Sequence, residues 1–271
     1  LNDNATSSVT NTGTSMISIS EGGKSARALL KRRTQTVDIF SLGCVFFFCI
    51  VPGHHPFGEW FEREANIMNK KMDLSLVEEH KEAYDLLYRM LSHEPNLRPT
   101  AAQICAHPFF WPQQQRLEFL ADFSDRVEHE QPHSDVLLAL ECNAVNVVGR
   151  SWTSRLCQSL LGDLGRYRKY DSASVRDCLR LIRNKRHHFN ELSTQVKSLL
   201  SPFLPYFESR YPNLLMHCYI IACKYLSKDM DFINYCGSCA PLYINPTDND
   251  TVALTASSDN TTAAVANISP H

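Results

Sequence analysis

The run Val37-Asp38-Ile39-Phe40-Ser41-Leu42-Gly43-Cys44-Val45-Phe46-Phe47-Phe48 constrains the fold of this chain more than any other stretch. It is apolar nearly all round, which predicts a helix buried on most faces, since a surface helix would carry a polar stripe. Asp38 and Ser41, lying inside that run, then need internal partners. Pro52-Gly53 ends the helix, and His54-His55-Pro56-Phe57-Gly58 makes a turn. Such a helix must be covered by others. With 44% hydrophobic residues in 271, the chain can supply them, as one large or two ordinary domains. No apolar run approaches the roughly 18 residues of a membrane span. The longest, 45–51, reads as buried core.

The remaining pattern is helical as well, so an all-α fold is expected. Tyr84, Leu87 and Leu91 give an amphipathic face between Glu78 and Leu91. Thr100 is placed to cap a short helix that reaches Ala106. Leu117, Phe119, Leu120, Phe123 and Val127 supply one further face, and Val136, Leu137, Leu138, Leu140 and Val147 another. No Pro- or Gly-rich linker divides 36–112 from 113–240, so these two units are expected to dock rigidly. The polar ends, 1–35 and 241–271, read as disordered or poorly ordered, because they offer too little apolar surface to offset the entropy of ordering. The ten cysteines are scattered and read as reduced, mostly buried thiols.

Charge is the second signal. The chain carries a net charge of -2, yet Arg150 to His188 holds ten Lys or Arg against three Asp. Any nucleic-acid site is therefore a local patch. Ser174 followed by Asp177 reads as a helix start with a capping-box-like pair. Val175, Cys178, Leu179 and Ile182 then make its buried stripe. Helical spacing sets Arg176, Arg180 and Arg183 on a flank away from that stripe, and stacks Asn184 with His188. Tyr170 sits in the loop before the cap. Whether it reaches His188, about 20 Å away along a straight helix, depends on how that loop folds back.

Asp38-x-x-Ser41-x-Gly43, His55-Pro56-Phe57, Arg98-Pro99-Thr100 and His107-Pro108-Phe109-Phe110 together resemble the back half of a protein-kinase C-lobe. The resemblance implies structural roles for Asp38, Gly43 and Arg98. Asp38 would brace the catalytic-loop backbone, and Arg98 would pair with the Glu of an A-P-E motif. The Gly-rich loop, Val-Ala-Ile-Lys strand, His-Arg-Asp loop, Asp-Phe-Gly and Ala-Pro-Glu are not found. Those parts carry ATP, magnesium and the catalytic base, so kinase activity is not expected of this chain. The best counterpart of A-P-E, Ala26-Arg27-Ala28, lacks the Glu and leaves Arg98 open to being unpaired.

Lys169-Tyr170, Ser174-Val175-Arg176-Asp177, Arg183-Asn184-Lys185, His187-His188-Phe189, Glu191-Leu192 and Phe207-x-Ser-Arg210-Tyr211-Pro212 resemble the KEN ribonuclease domain. That domain follows a kinase C-lobe in the inositol-requiring kinase/endoribonucleases of the unfolded protein response and in ribonuclease L. The resemblance implies RNA cleavage without a metal. The ribose 2′-OH attacks, leaving a 2′,3′-cyclic phosphate. His188 would be the general acid, Tyr170 would orient or help deprotonate the 2′-OH, Arg183 would stabilise the phosphorane, and Asn184 would hold base or sugar. Arg176, Arg180, Lys185 and His187 would bind substrate. The run shows no carboxylate or Cys/His cluster beside these residues, in keeping with that mechanism.

The partner implied is an RNA stem-loop with a single-stranded loop, and self-association as a homodimer or oligomer. ATP or ADP with Mg belongs only to full-length relatives. Those relatives are anchored in the endoplasmic reticulum membrane, with this part on the cytosolic side. Two other readings stand beside this one. The first is an inert fragment acting as a dimerisation or RNA-binding decoy. The second is a ribonuclease L-like antiviral nuclease, which ankyrin repeats would mark.

Overall fold

The computed structural model describes residues 21–164 and 169–243, with side chains from Gln35 onward, Asp163 excepted. Every regular element among the described residues is helical. In chain order they are α1 (Glu21–Ile50), α2 (Arg63–Met68), α3 (Lys81–Met90), α4 (Ala101–Ala106) and α5 (Gln113–Glu128). There follow α6 (Asp135–Glu141), α7 (Ala144–Val148), α8 (Gln158–Leu164) and α9 (Val175–His187). The last are α10 (Thr194–Leu199), α11 (Phe203–Glu208), α12 (Leu214–Ile221) and α13 (Ile233–Cys236). None is long and apolar enough to cross a membrane. The expectations for residues 1–20 and 244–271 lie outside the described residues.

The first helix departs from expectation twice. It starts at Glu21, well before Thr36, so part of the stretch read as poorly ordered is helix. It is also covered on one side only. Ile39, Gly43 and Phe47 face α3, where Leu86, Leu87, Met90 and Leu91 are buried. Val37, Val45 and Phe48 on the other side are each more than half exposed. Asp38 lies on the exposed side, and the Ser41 hydroxyl donates to the Val37 carbonyl at 3.2 Å. Neither residue needs the internal partner that full burial would have demanded.

At Gly43, α1 passes close against the end of α3. A Cβ there would lie 2.9 Å from Leu91 Cδ2 and 3.1 Å from Met90 Cβ. Only a residue without a side chain permits that approach. Arg98 is held by backbone carbonyls. Its guanidinium donates to the Ser92 carbonyl at 2.8 Å and the Thr36 carbonyl at 2.9 Å, and it sits over the Phe40 ring. The side chains of Ala26-Arg27-Ala28 lie outside those described.

The larger core belongs to the second unit. It gathers Phe119, Phe123 and Val127 of α5, the α9 stripe, Leu140, Trp152, Phe207, Tyr211, Tyr219 and Phe232. Full burial of each such side chain contributes on the order of 1.5–3 kcal/mol. Thr100 caps α4 through a reciprocal pair with Gln103, as its position predicts.

The two units are joined by more than chain continuity. The carboxylate of Asp85, buried on α3, accepts from Arg89 at 2.9 Å, from His107 Nε2 at 3.1 Å and from the Tyr243 hydroxyl at 2.7 Å. Arg89 also lies over the Tyr243 ring and donates to the Leu242 carbonyl at 2.6 Å. Nearby, Gln103 Nε2 donates to the Ser238 carbonyl at 2.9 Å, and the Cys239 thiol to the Gln103 carbonyl at 3.4 Å. Residues 238–243 thus close like a clasp over the first unit. Burial alone would raise the Asp85 carboxyl, but the Arg89 charge and the His107 bond outweigh it and hold it well below the usual carboxylate range.

Candidate functional site

The α9 helix begins where the sequence places it, with Ser174 Oγ accepting from the Asp177 amide at 3.2 Å. The reciprocal carboxylate comes from elsewhere. Glu141, the last residue of α6, accepts from Ser174 Oγ at 2.7 Å, the Val175 amide at 2.9 Å and the Arg176 amide at 3.0 Å. An anion at a helix N-terminus meets the positive end of the dipole as well as these orphan donors. Asp177, free of that duty, turns to the loop before the helix. Its carboxylate accepts from the Asp171 amide at 2.6 Å and pairs with Arg180.

That bond places Tyr170. Trp152, fully buried, holds the same loop from the other side: its Nε1 donates to the Asp171 carbonyl and its amide to the Ser172 carbonyl, both at 2.9 Å. The Tyr170 ring meets the Trp152 ring edge-on at 5.9 Å between centroids. The Tyr211 hydroxyl in turn anchors the Trp152 carbonyl at 2.7 Å. The loop therefore folds back along α9, and the Tyr170 hydroxyl accepts from Asn184 Nδ2 at 3.2 Å. Asn184 Oδ1 accepts from Arg183 Nη2 at 3.1 Å.

Arg183 then connects to α5. Its Nη1 donates to Asp125 at 2.7 Å and lies 3.7 Å from Glu128. Glu128 also pairs with Arg180 at 2.6 Å, and Arg180 pairs with Asp177. The contacts close into a ring: Tyr170, Asn184, Arg183, Glu128, Arg180, Asp177 and back through the Asp171 amide. Each member is fixed by two others, which is how a polar network holds a tyrosine in one position.

One turn beyond Asn184, His188 caps the end of α9, its amide donating to the Asn184 carbonyl at 3.0 Å. Its ring is exposed, with Nδ1 2.8 Å from Glu191 Oε1. A carboxylate accepts, so Nδ1 carries the hydrogen and Nε2 is left facing outward to exchange a proton. A histidine oriented by a carboxylate is a common arrangement for general acid–base work.

The other expected substrate contacts divide. Arg180 is buried, not outward: it lies inside the ring between Glu128 and Asp177. Burial works against its charge, and the two carboxylates more than restore it. Helical spacing failed here because α5 covers a flank that looks polar in the sequence. Arg176 is half-buried at the opposite end of α9, with Nε enclosed and no hydrogen-bond partner found among the described residues. Lys185 and His187 lie in the last turn beside His188, with His187 exposed. The basic residues Arg166 and Arg168 lie outside the described residues.

Reading along the chain also missed the carboxylates. Asp125, Glu128 and Glu141 arrive from α5 and α6, distant in sequence, and their charges are used on arginines and amides. No group of three or more potential metal ligands occurs among the described residues. Cys236 and Cys239, with the spacing of a thiol pair, are both buried and donate to the Phe232 and Gln103 carbonyls.

Fold and site together define a protein-kinase C-lobe segment docked on a helical nuclease-type domain. Residues 116–236 match the family described as Ribonuclease 2-5A, and residues 27–110 match the protein kinase domain. The serine/threonine-protein kinase/endoribonuclease IRE1 of Oryza sativa subsp. japonica is 43% identical over 75% of this chain and 23% of its own length. IRE1b of Arabidopsis thaliana is 42% identical over 85% of the chain and 27% of its length. The sensor for unfolded proteins in the ER, ire1, of Schizosaccharomyces pombe is 39% identical over 78% of the chain and 21% of its length. The chain belongs to this kinase/endoribonuclease family and spans about a quarter of the length of these relatives.

Proposed function

We propose that this chain is an endoribonuclease that cleaves RNA stem-loops by attack of the ribose 2′-OH. The observation that carries the reading is the placement of the Tyr170 hydroxyl on Asn184, one helical turn from a His188 whose Nδ1 is held by Glu191. In the reaction the Tyr170–Asn184 pair orients the 2′-OH, whose proton passes to solvent water as the 2′-oxygen bonds to the scissile phosphorus. The bond from phosphorus to the 5′-oxygen breaks, and His188 Nε2–H protonates that leaving oxygen. The products are a 2′,3′-cyclic phosphate and a 5′-OH. Arg183 supplies the cation for the phosphorane, so the scheme needs no metal ion. Asp125, which now holds Arg183, is more than half exposed. Arg183 is largely buried, but the Asp125 side of the pair opens to solvent, and there a phosphate can displace the carboxylate. Lys185 and His187, in the last turn of the same helix, are assigned to the flanking backbone.

The names of two relatives, a kinase/endoribonuclease and a sensor for unfolded proteins in the ER, support a role in the unfolded protein response; the proposed role is mRNA processing or decay on the cytosolic side of the endoplasmic reticulum, as a dimer or oligomer. A second reading, RNA binding without cleavage, is favoured by one observation: the Arg183 charge is already shared by Asp125 and Glu128.

Cleavage of a short RNA hairpin by the purified chain in EDTA, beside His188→Ala, separates the two. Cleavage leaving a cyclic phosphate, with a fall of about 10²–10⁴-fold in the variant, is expected. Binding of the hairpin with no cleavage would select the second reading.

A further inference from the structure

A cavity of about 600 Å³ lies between α3 of the first unit and α6, α7 and α12 of the second. That volume is in the range of pockets for small organic ligands. Leu138, Met216 and Ile220 give it an apolar wall, and Leu138 is half exposed among the described residues. His217 and Tyr225 are its rings with a polar edge. His217 Nε2 meets the Leu140 carbonyl at 2.9 Å, so Nε2 carries the hydrogen and Nδ1 is left as an acceptor. Lys81 and Lys224 line it from opposite units. Two acids line it too. The Asp85 charge is matched by Arg89, and Asp135 stands exposed in the first turn of α6, where the helix dipole offsets it. An apolar interior with two lysines suits an anionic amphiphile.

The wall is also connected to α9. The Leu140 carbonyl that holds His217 immediately precedes Glu141, whose carboxylate binds the Val175 and Arg176 amides. Anything that wedges α6 from α12 therefore acts on the carboxylate that starts the helix of the candidate site.

We infer that this cavity is a binding site for a small amphiphilic anion, an apolar body carrying one acidic group, whose occupancy is transmitted through α6 to the start of α9. The probe for the test is 8-anilinonaphthalene-1-sulfonate, compared with its uncharged parent N-phenyl-1-naphthylamine, on the full chain. Cys142 is exposed and lines the cavity, whereas Cys49 and Cys105 are exposed elsewhere. Saturating sulfonate is expected to protect Cys142 from alkylation, read peptide by peptide by mass spectrometry, and to leave Cys49 and Cys105 reactive. It is also expected to change amide exchange at the start of α9. Ala139→Trp, which fills the cavity, should abolish protection while the far-ultraviolet spectrum stays helical. Lys81→Glu with Lys224→Glu should remove a preference of about tenfold for the sulfonate over the neutral probe, since both cations that attract the sulfonate become acids.

Unprotected Cys142, or protection that survives Ala139→Trp, would overturn the site. An unchanged preference in the double variant would overturn the anionic class, and unchanged exchange at 175–177 would overturn the link to α9. All four readouts are independent of RNA cleavage.

Discussion

Arg180 shows most sharply what a residue's position along the chain conceals. Its spacing from Arg176 and Arg183 suggests a cation offered to substrate, yet it is enclosed between Glu128 and Asp177. Removing one partner of a buried pair leaves uncompensated charge, which costs more than the pair contributes when intact. Arg180→Ala is therefore expected to destabilise the chain by about 3–5 kcal/mol in urea unfolding followed by circular dichroism. A substrate contact would give the opposite pattern, with stability unchanged and a raised KM. Tyr170, Arg183, Asn184 and His188 were named through the resemblance, and the structure brings Tyr170, Asn184 and Arg183 together through hydrogen bonds, with His188 one turn further along α9. The orienting roles of Glu191 and Trp152 were not legible: Glu191 entered only as part of the family pattern and Trp152 only as an apolar residue, because each role depends on a partner that the fold supplies.

At the scale of elements, the helices were legible wherever one face carried a clear stripe, as in α5 and α9, and where Thr100 and Ser174 marked their starts. The extent of α1 was not. An apolar run states that a helix can be buried on all sides, but not that the described residues cover it, and only one side meets α3. The cap of α9 was half legible. Ser174 is local and was readable, whereas Glu141 comes from another helix through a contact that no short-range pattern encodes. Glu141→Ala is expected to cost about 1–2 kcal/mol, the worth of a helix cap with a charge at the dipole. Amide exchange at Val175 and Arg176 should accelerate while α5 stays protected. Acceleration spread evenly over all helices would show instead that Glu141 supports the whole unit.

Across the whole molecule, the clasp at Asp85 ties the stability of both units to pH. The Asp85 carboxyl titrates below its ordinary range in the folded chain, although burial by itself would raise it. A depressed carboxylate contributes stability that is fully present above its unfolded value, about 4, and lost as pH falls through its folded value. Chain with Asp85 intact should accordingly lose stability progressively below about pH 4 in a series of urea titrations. Asp85→Asn should start about 3–5 kcal/mol lower at neutral pH and lose less on acidification, so that the two curves converge. Parallel curves would count against the assignment. That two units exist, and that no flexible linker parts them, could be read from the sequence. That the far end of the second returns to grip the first could not, since Tyr243 and Asp85 stand 158 residues apart.

That separation has a consequence during synthesis. Asp85 leaves the ribosome with α3 long before Tyr243 exists, so the first unit must wait, its acid satisfied by Arg89 and water, until the second has emerged. Contacts between distant positions are slow to close because the intervening chain must be ordered first. A nascent chain arrested before residue 243 should therefore be more open to protease around α3 than the released chain, and more in need of a chaperone.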